Sequence, residues 1–339
     1  MCNCTMTVHL HGFPILPTMP DPDLHELLAE VASLYYEEER TQTEIAARLG
    51  LSRVKVYRLL KQAREEQVVA IVIDWPIKRD ARLERELCQR FGLSEALVMQ
   101  SMSMEQGASL HQLGQMAARY LEQTLQDGAT LTVCLGRSTY ETINAIRPGF
   151  RAHVHVVPAL GSMPFAMHEM DSGALARRLA QKLGGDVFDL SAPAMADSAA
   201  AAGVLRSQRD IKRALEAAEN ADLALVGIGN LDPVQSGFVK GGFMTPEGAK
   251  ALVEAGAVGD IAGRIFSLDG RLHDNEFDER IIGIGLEALR RIPCTVAVAL
   301  GLEKARAICG SLRSGVVKVL CSDDRTARAV LELENGDDR

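Results

Sequence analysis

From about residue 128 onward, short apolar runs alternate with amphipathic stretches, and no other feature constrains the fold as tightly. The runs cover 130–135, 154–157, 187–190, 223–228, 261–266, 295–300 and 316–320. Helix-periodic stretches accompany them at 172–183, 209–218, 246–255, 280–290, 303–312 and 324–333. A strand with one wet face alternates apolar and polar residues. These runs do not, so both of their faces must be covered. Strands of that kind separated by helices predict an α/β domain built on a mostly parallel sheet.

The first quarter of the chain reads differently. Residues 1–20 carry three prolines and no periodicity, and read as a disordered tail. Leu24, Leu27, Leu28, Val31, Leu34 and Tyr35 then recur at helical spacing. Thr41-Gln42-Thr43-Glu44 is a capping box, in which the Thr hydroxyl accepts a backbone N–H and Glu44 reaches back. The helix it opens must stop at Gly50, and Ser52 can cap a third helix reaching about Glu66. Ile45, Ala46 and Leu49 would pack against Leu51, Val56, Leu59 and Leu60, with Gly50 supplying the positive φ of the turn. Residues 42–61 thus fit a helix-turn-helix. The β-branched run 68–73 is a candidate wing strand, closed by Trp75-Pro76. The expected organisation is a tail over 1–20, a small all-α, winged helix-turn-helix domain over 21–76, a helical linker over 77–92 and a large α/β domain over 93–339.

Charge gives the helix-turn-helix its partner. The chain holds 37 Lys+Arg against 45 Asp+Glu, for a net −8, yet residues 40–66 carry seven bases and three acids. A basic patch on an acidic body marks a local polyanion site. Arg53, Val54, Lys55, Tyr57, Arg58 and Lys61 form the outer face of the third helix and are the expected contacts to double-stranded operator DNA. The N-terminal residues of a recognition helix meet base edges in the major groove. Arginine takes guanine O6 and N7 bidentately, whereas lysine serves phosphates.

Several classes fall away. The longest aliphatic run is the six residues 68–73, far short of the ~20 a membrane span needs. No signal-peptide pattern opens the chain, and the seven dispersed cysteines read as reduced cytoplasmic thiols. Dinucleotide fingerprints fail on spacing, since Asp232 and Ala288 stand where the third glycine belongs. The Walker pattern fails at Gly242 and Gly248, and the serine-hydrolase elbow and zinc-protease motif are both missing. Cys2, Cys4, His9 and His11 lie in the Pro-rich tail at spacings unlike structural zinc sites, and His153-x-His155 lies on a strand-like run with no carboxylate pattern around it that suggests a metal. No metal and no cofactor is expected.

Ala221 to Gly229 reads Ala-Asp-Leu-Ala-Leu-Val-Gly-Ile-Gly, and Gly256-Ala257-Val258-Gly259-Asp260 follows, with Gly301-Leu302-Glu303-Lys304-Ala305 further on. With the basic helix-turn-helix ahead of them, these blocks closely resemble the SorC/DeoR-type sugar-binding transcriptional regulators over nearly the whole chain. The resemblance implies a sugar-phosphate isomerase/CoA-transferase-like fold for the large domain. It also implies a phosphorylated sugar effector, assembly into dimers or tetramers, and no enzymatic activity. The implied effector residues are Gly136, Arg137, Ser138, Gly161, Ser162, Gly227, Gly229, Asp260 and Lys304. The glycine loops and Arg137 would hold phosphate, Asp260 would accept sugar hydroxyls, and Lys304 would donate to a sugar oxygen. Leu160 stands where some members carry an arginine for a second phosphate, which argues against a bisphosphate. Two plainer readings stay open: the glycines of 256–263 as packing residues, and Asp260 as a helix cap. The competing functional readings are an isomerase-like enzyme with an appended DNA-binding head and a constitutive architectural DNA binder.

Overall fold

The computed structural model describes residues 22–66, 68–69, 76–101, 106–163 and 168–337. The chain divides into two compact units, Met1–Ile73 and Asp74–Arg339.

The described part of the first unit is three helices, α1 (Pro22–Tyr36), α2 (Gln42–Leu49) and α3 (Arg53–Glu65). The capping box forms: Glu44 N donates to Thr41 Oγ1 at 3.3 Å, and Thr41 N donates to the Glu44 carboxylate at 2.8 Å. Gly50 ends α2 at φ 66°, a left-handed turn that a Cβ would strain. Ser52 caps α3 by accepting from Lys55 N. Leu28, Val31, Ile45, Ala46, Val56, Leu59, Leu60 and Ala63 close one small core. The expected wing strand is corrected at its start: Val68 and Val69 form a bend, with Val69 N donating to Ala63 O. Residues 70–73 and the tail with Cys2, Cys4, His9 and His11 lie outside the described residues.

The second unit begins with α4 (Ala81–Phe91), β1 (Glu95–Met99), α5 (Gln106–Thr124), β2 (Thr130–Val133), α6 (Arg137–Asn144), β3 (His155–Pro158), α7 (Ser172–Leu183) and β4 (Asp186–Val187). Further strands are β5 (Leu223–Gly227), β6 (Gly229–Asn230), β7 (Ala257–Ile261), β8 (Arg264–Ser267), β9 (Cys294–Val298) and β10 (Val319–Asp323). Seven strands form one sheet in the order β1-β10-β9-β5-β2-β3-β4, parallel throughout. β6, β7 and β8 form a small antiparallel sheet. Side chains of the main sheet sort by parity. Ala224, Val226, Ala297 and Leu320 enter one core, while Leu223, Leu225, Val296, Val298, Val319 and Cys321 enter the other. Two cores on two faces explain why these strands are apolar without alternation.

Four expectations change. The run 261–266 is the turn of the β7–β8 hairpin, with Ala262 at φ 50° and Gly263 at φ 79°. Two left-handed residues make the two-residue turn that matches strand twist. Residues 280–290 are not one helix: Arg280 caps the helix Glu276–Glu279, Ile281 and Gly283 form isolated bridges, and the next helix starts at Leu286. Three β-branched residues and two glycines in the five positions 281–285 resist a helix. The run 187–190 contributes only Val187 to a strand. His153 is not on β3; it sits at φ 38° and shares a 2.9 Å hydrogen bond with Asp127. Residues 93–127, passed over in the sequence, supply β1 and α5.

Among the described residues no helix is long and apolar enough to cross a membrane. The described cysteines are all free thiols, with Cys134, Cys309 and Cys321 buried.

Candidate functional site

Two functional surfaces can be built from these elements, one on each unit. On the first, Val56, Leu59, Leu60 and Ala63 turn one face of α3 into the core. The opposite face then carries Arg53, Val54, Lys55, Tyr57, Arg58 and Lys61, all of them exposed. Lys61 makes a 3.5 Å ion pair with Glu65, but both side chains stay more than half exposed, so the pair holds Lys61 weakly.

On the second unit, strand order selects the place. From β2 the chain moves outward to β3 and β4; from β5 it moves the other way, to β9 and β10. The crevice between β2 and β5, which pair directly, is the switch point where open α/β sheets receive ligands at the carboxyl ends of their strands. After β2, Gly136 at φ 135° opens α6 with no side-chain cap. The first N–H groups of α6 therefore lack a side-chain cap and favour an anion. Arg137 beside them is exposed, and Ser138 is buried.

After β5 the chain crosses Gly227 and enters the small sheet, where Gly229 pairs with Asp260. A Cβ on Gly229 would collide with the Asp260 carboxylate, whereas one on Gly227 would meet nothing. Gly229 is thus required by Asp260 packing, and Gly227 leaves open space above the strand end. Lys304 reaches the same spot from beyond β9 and donates to Ile228 O at 3.0 Å.

The charges sense one another. Burial pushes the Asp260 carboxyl up to about 6, with Asp278 adding to the rise and the Gly263 N–H and Lys304 opposing it. Burial also lowers Lys304, helped by Arg137 and opposed by Asp260 and Glu303. Burial and the charge of Asp260 together raise the Cys134 thiol to about 12. Arg137, Asp260 and Lys304 therefore share one electrostatic neighbourhood, although the sequence spreads them from β2 to beyond β9.

Gly161 and Ser162 join through a residue the sequence reading missed. Asp171 accepts from Ser162 Oγ at 3.1 Å, from Met163 N, and from Gly173 N at 3.1 Å as it caps α7. Gly136 N donates to the adjacent Met170 O at 3.2 Å, which ties the β2 and β3 loops together. Gly161 has no room for a Cβ, because the backbone of Ala192 and Pro193 passes over it. Asp278 was missed as well. It is buried, accepts from Ile265 N through Oδ1, and leaves Oδ2 without a partner. An Asp ahead of a helical stretch could have marked Asp171 as a cap; nothing local marks Asp278.

A hollow of about 450 Å³ lies elsewhere, at the amino end of β1 between Arg79, Glu95, Leu97 and Tyr120. Its Arg79 already pairs with Glu84 at 2.6 Å and with Glu95 at 3.6 Å. Among the described residues no cluster of three or more His, Cys, Asp or Glu could hold a metal.

Residues 75–332 match the family described as "Putative sugar-binding domain", and residues 23–66 match "Sigma-70, region 4". The chain belongs to the SorC/DeoR-type sugar-binding transcriptional regulators. It is 33% identical over 315 residues to the transcriptional regulator LsrR of Klebsiella pneumoniae, covering 91% of this chain and 93% of that one. It is 30% identical over 311 residues to the deoxyribonucleoside regulator of Bacillus subtilis, covering 92% and 99%. The full-length sorbitol operon regulator SorC from Klebsiella pneumoniae superposes with a TM-score of 0.68 at 28% identity, over 91% of this chain and 99% of that one. This SorC/DeoR-type member is a DNA-binding transcriptional regulator with a sugar-binding domain, and these relatives are regulators rather than enzymes.

Proposed function

We propose that a phosphorylated sugar bound at the β2/β5 switch point modulates the affinity of this regulator for its operator. The observation that carries this is the convergence of the uncapped α6 N-terminus and Arg137 with Asp260 and Lys304 around Gly229. A phosphate takes the α6 N–H groups and Arg137, since both favour negative charge. Asp260 accepts from sugar hydroxyls and Lys304 donates to a sugar oxygen. Ser138, Gly161, Ser162 and Gly227 line the approach. An effector shifts the regulator only through different affinities for its two states, so the sugar must bind one DNA-competence state more tightly.

The DNA partner is a double-stranded operator read by α3 in the major groove. One helix-turn-helix covers a short half-site, and two heads spaced by whole helical turns multiply selectivity. The working unit is therefore a homo-oligomer, a dimer or tetramer, acting in the cytoplasm where the operator lies. Sedimentation on and off DNA tests this; a 36.7 kDa species off DNA together with one chain per operator on it overturns the reading.

The effector reading is tested by titrating C3 to C6 sugars, with and without phosphate, into the full chain by calorimetry. Operator affinity is then measured with each binder. One phosphorylated sugar that binds and changes operator affinity is the expected result. Binding of the free sugar with equal affinity would remove the phosphate from the proposal, and turnover of any sugar would restore the enzyme reading.

A further inference from the structure

The outward face of α3 carries a residue whose type is unexplained by the fold. Val54 is 61 % exposed, in the first turn of the helix. Valine is β-branched and gives up rotamer freedom in a helix, and no burial offsets that cost here. Its position is also special. At ~100° per residue, Val56, Leu59, Leu60 and Ala63 centre about 190° from Val54, so Val54 crowns the ridge farthest from the core. Arg53 and Lys55 flank it about 100° away on either side, and Arg58 follows one turn later. An aliphatic group thus stands at the crest, with cationic arms on both sides.

That arrangement fits one occupant by charge and by shape. The flanking cations match two phosphate strands, and the crest reaches the floor of the groove between them. Among the base edges in the major groove, only thymine presents a methyl group, at C5. The geometry points to Val54 as a methyl reader: its isopropyl group packs on the C5-methyl of a thymine and fixes that base in the operator half-site. This rests on the operator-reading role proposed for α3. Against cytosine or a purine edge the same side chain would cover a donor or acceptor without bonding it, so Val54 discriminates by contact and by penalty.

The test starts from an operator selected by the full chain out of a random duplex pool. Each thymine is replaced in turn by uracil, which removes only the methyl group. We expect one position per half-site where uracil weakens wild-type binding roughly fourfold, the worth of one methyl taken out of water. Val54→Ala should bind thymine and uracil equally there, and Val54→Thr, which keeps one methyl, should fall between. Placing 5-methylcytosine at that position in a cytosine-substituted operator should recover part of the loss, which separates the methyl from the rest of thymine. No uracil-sensitive position in the wild type, or unchanged uracil sensitivity in Val54→Ala, overturns the assignment while leaving operator reading intact. A change in sedimentation of Val54→Ala without a change in uracil sensitivity would make the crest a protein contact and overturn it too. Failure to select any operator would overturn the reading of α3 itself, and Val54 with it.

Discussion

The two units organise function in opposite ways. In the first, every proposed contact lies within nine positions of one helix, 53–61, and the helical period alone turns those side chains outward. In the second, Arg137 and Lys304 come from opposite halves of the domain and come within electrostatic reach because parallel strands deliver successive loops to one edge. A helix face is thus a local property, while a strand-end site is a property of connection order. The first unit should fail by losing its core, and the second by losing a single group at the crevice.

The largest effect expected is Leu59→Ala. Leu59 is 1 % exposed in a core of few residues, and truncating such a side chain costs about 2–5 kcal/mol. A head this small should unfold and operator binding should be lost, while the second unit keeps its melting transition and its sugar-phosphate binding. Calorimetric melting with and without effector checks this. Loss of effector binding in Leu59→Ala would mean that the two units are not separate in stability.

Lys304→Ala probes the reverse. The ammonium is half-buried, bonded to Ile228 O and set among Asp260 and Arg137. Removing it should lower effector affinity by about 2–3 kcal/mol, within the range for truncating a hydrogen-bonded charge, with operator affinity in the absence of effector unchanged. An effector response equal to that of the wild type would remove Lys304 from the site.

The same contrast decides what could be read from the residues. The caps Thr41 and Ser52, the turn at Gly50 and the inner face of the helix-turn-helix follow from spacing within twenty residues. The parallel sheet followed from apolar runs, but its edge strand β1, Glu95–Met99, was passed over although its run is no shorter than 154–157. The hairpin at Ala262 and Gly263 hid inside an apolar run, because a two-residue turn leaves hydrophobicity unbroken. Glycine-rich strand ends showed where ligands could sit. Which loops face one another depends on the order β1-β10-β9-β5-β2-β3-β4, and no local pattern encodes it. Asp278 escaped for that reason, since its partner comes from another element, while Asp171 was legible locally only as a helix cap and not as the partner of Ser162.

Acid sharpens the contrast further. Burial holds the Asp278 carboxyl near pH 6, above its ordinary 3.8, with the Ile265 N–H and Arg264 opposing the rise. A raised carboxyl means that the folded unit binds a proton the unfolded chain has released. Between about pH 4 and 6, stability of the second unit should therefore fall as pH rises, and remain lower above pH 6. At ~1.4 kcal/mol per pKa unit the effect of Asp278 is about 2–3 kcal/mol, and Asp260 acts in the same direction. Asp278→Asn keeps the shape and removes the titration, so the slope of denaturant-derived stability between pH 4 and 6 should flatten. An unchanged slope would show that Asp278 is ionised in the fold throughout that range.

Thr41→Ala should give the smallest effect, and one of opposite sign in pH. The Thr41 hydroxyl accepts from Glu44 N and donates to the Glu44 carboxylate, which also accepts from Thr41 N. Those bonds, the backbone one first, hold the Glu44 carboxyl below its ordinary value. A lowered carboxyl contributes stability above the unfolded pKa and loses it as pH falls through the folded one. The head should thus weaken toward acid below the ordinary glutamate value of 4.5, whereas Asp278 firms the sheet domain as pH falls from about 6 to 4. Removing the Thr cap typically costs ~1 kcal/mol, too little to unfold the head at neutral pH but enough to lower its melting temperature by several degrees. It should also blunt the acid weakening, since Glu44 loses the hydroxyl that helps to keep it ionised. Melting the wild type and Thr41→Ala from pH 7 to pH 3, each unit followed by its own transition, resolves the two trends. If the second unit weakened as pH fell from 6 to 4, the titration of Asp278 would be wrong; if the head held its stability below pH 4.5, that of Glu44 would be.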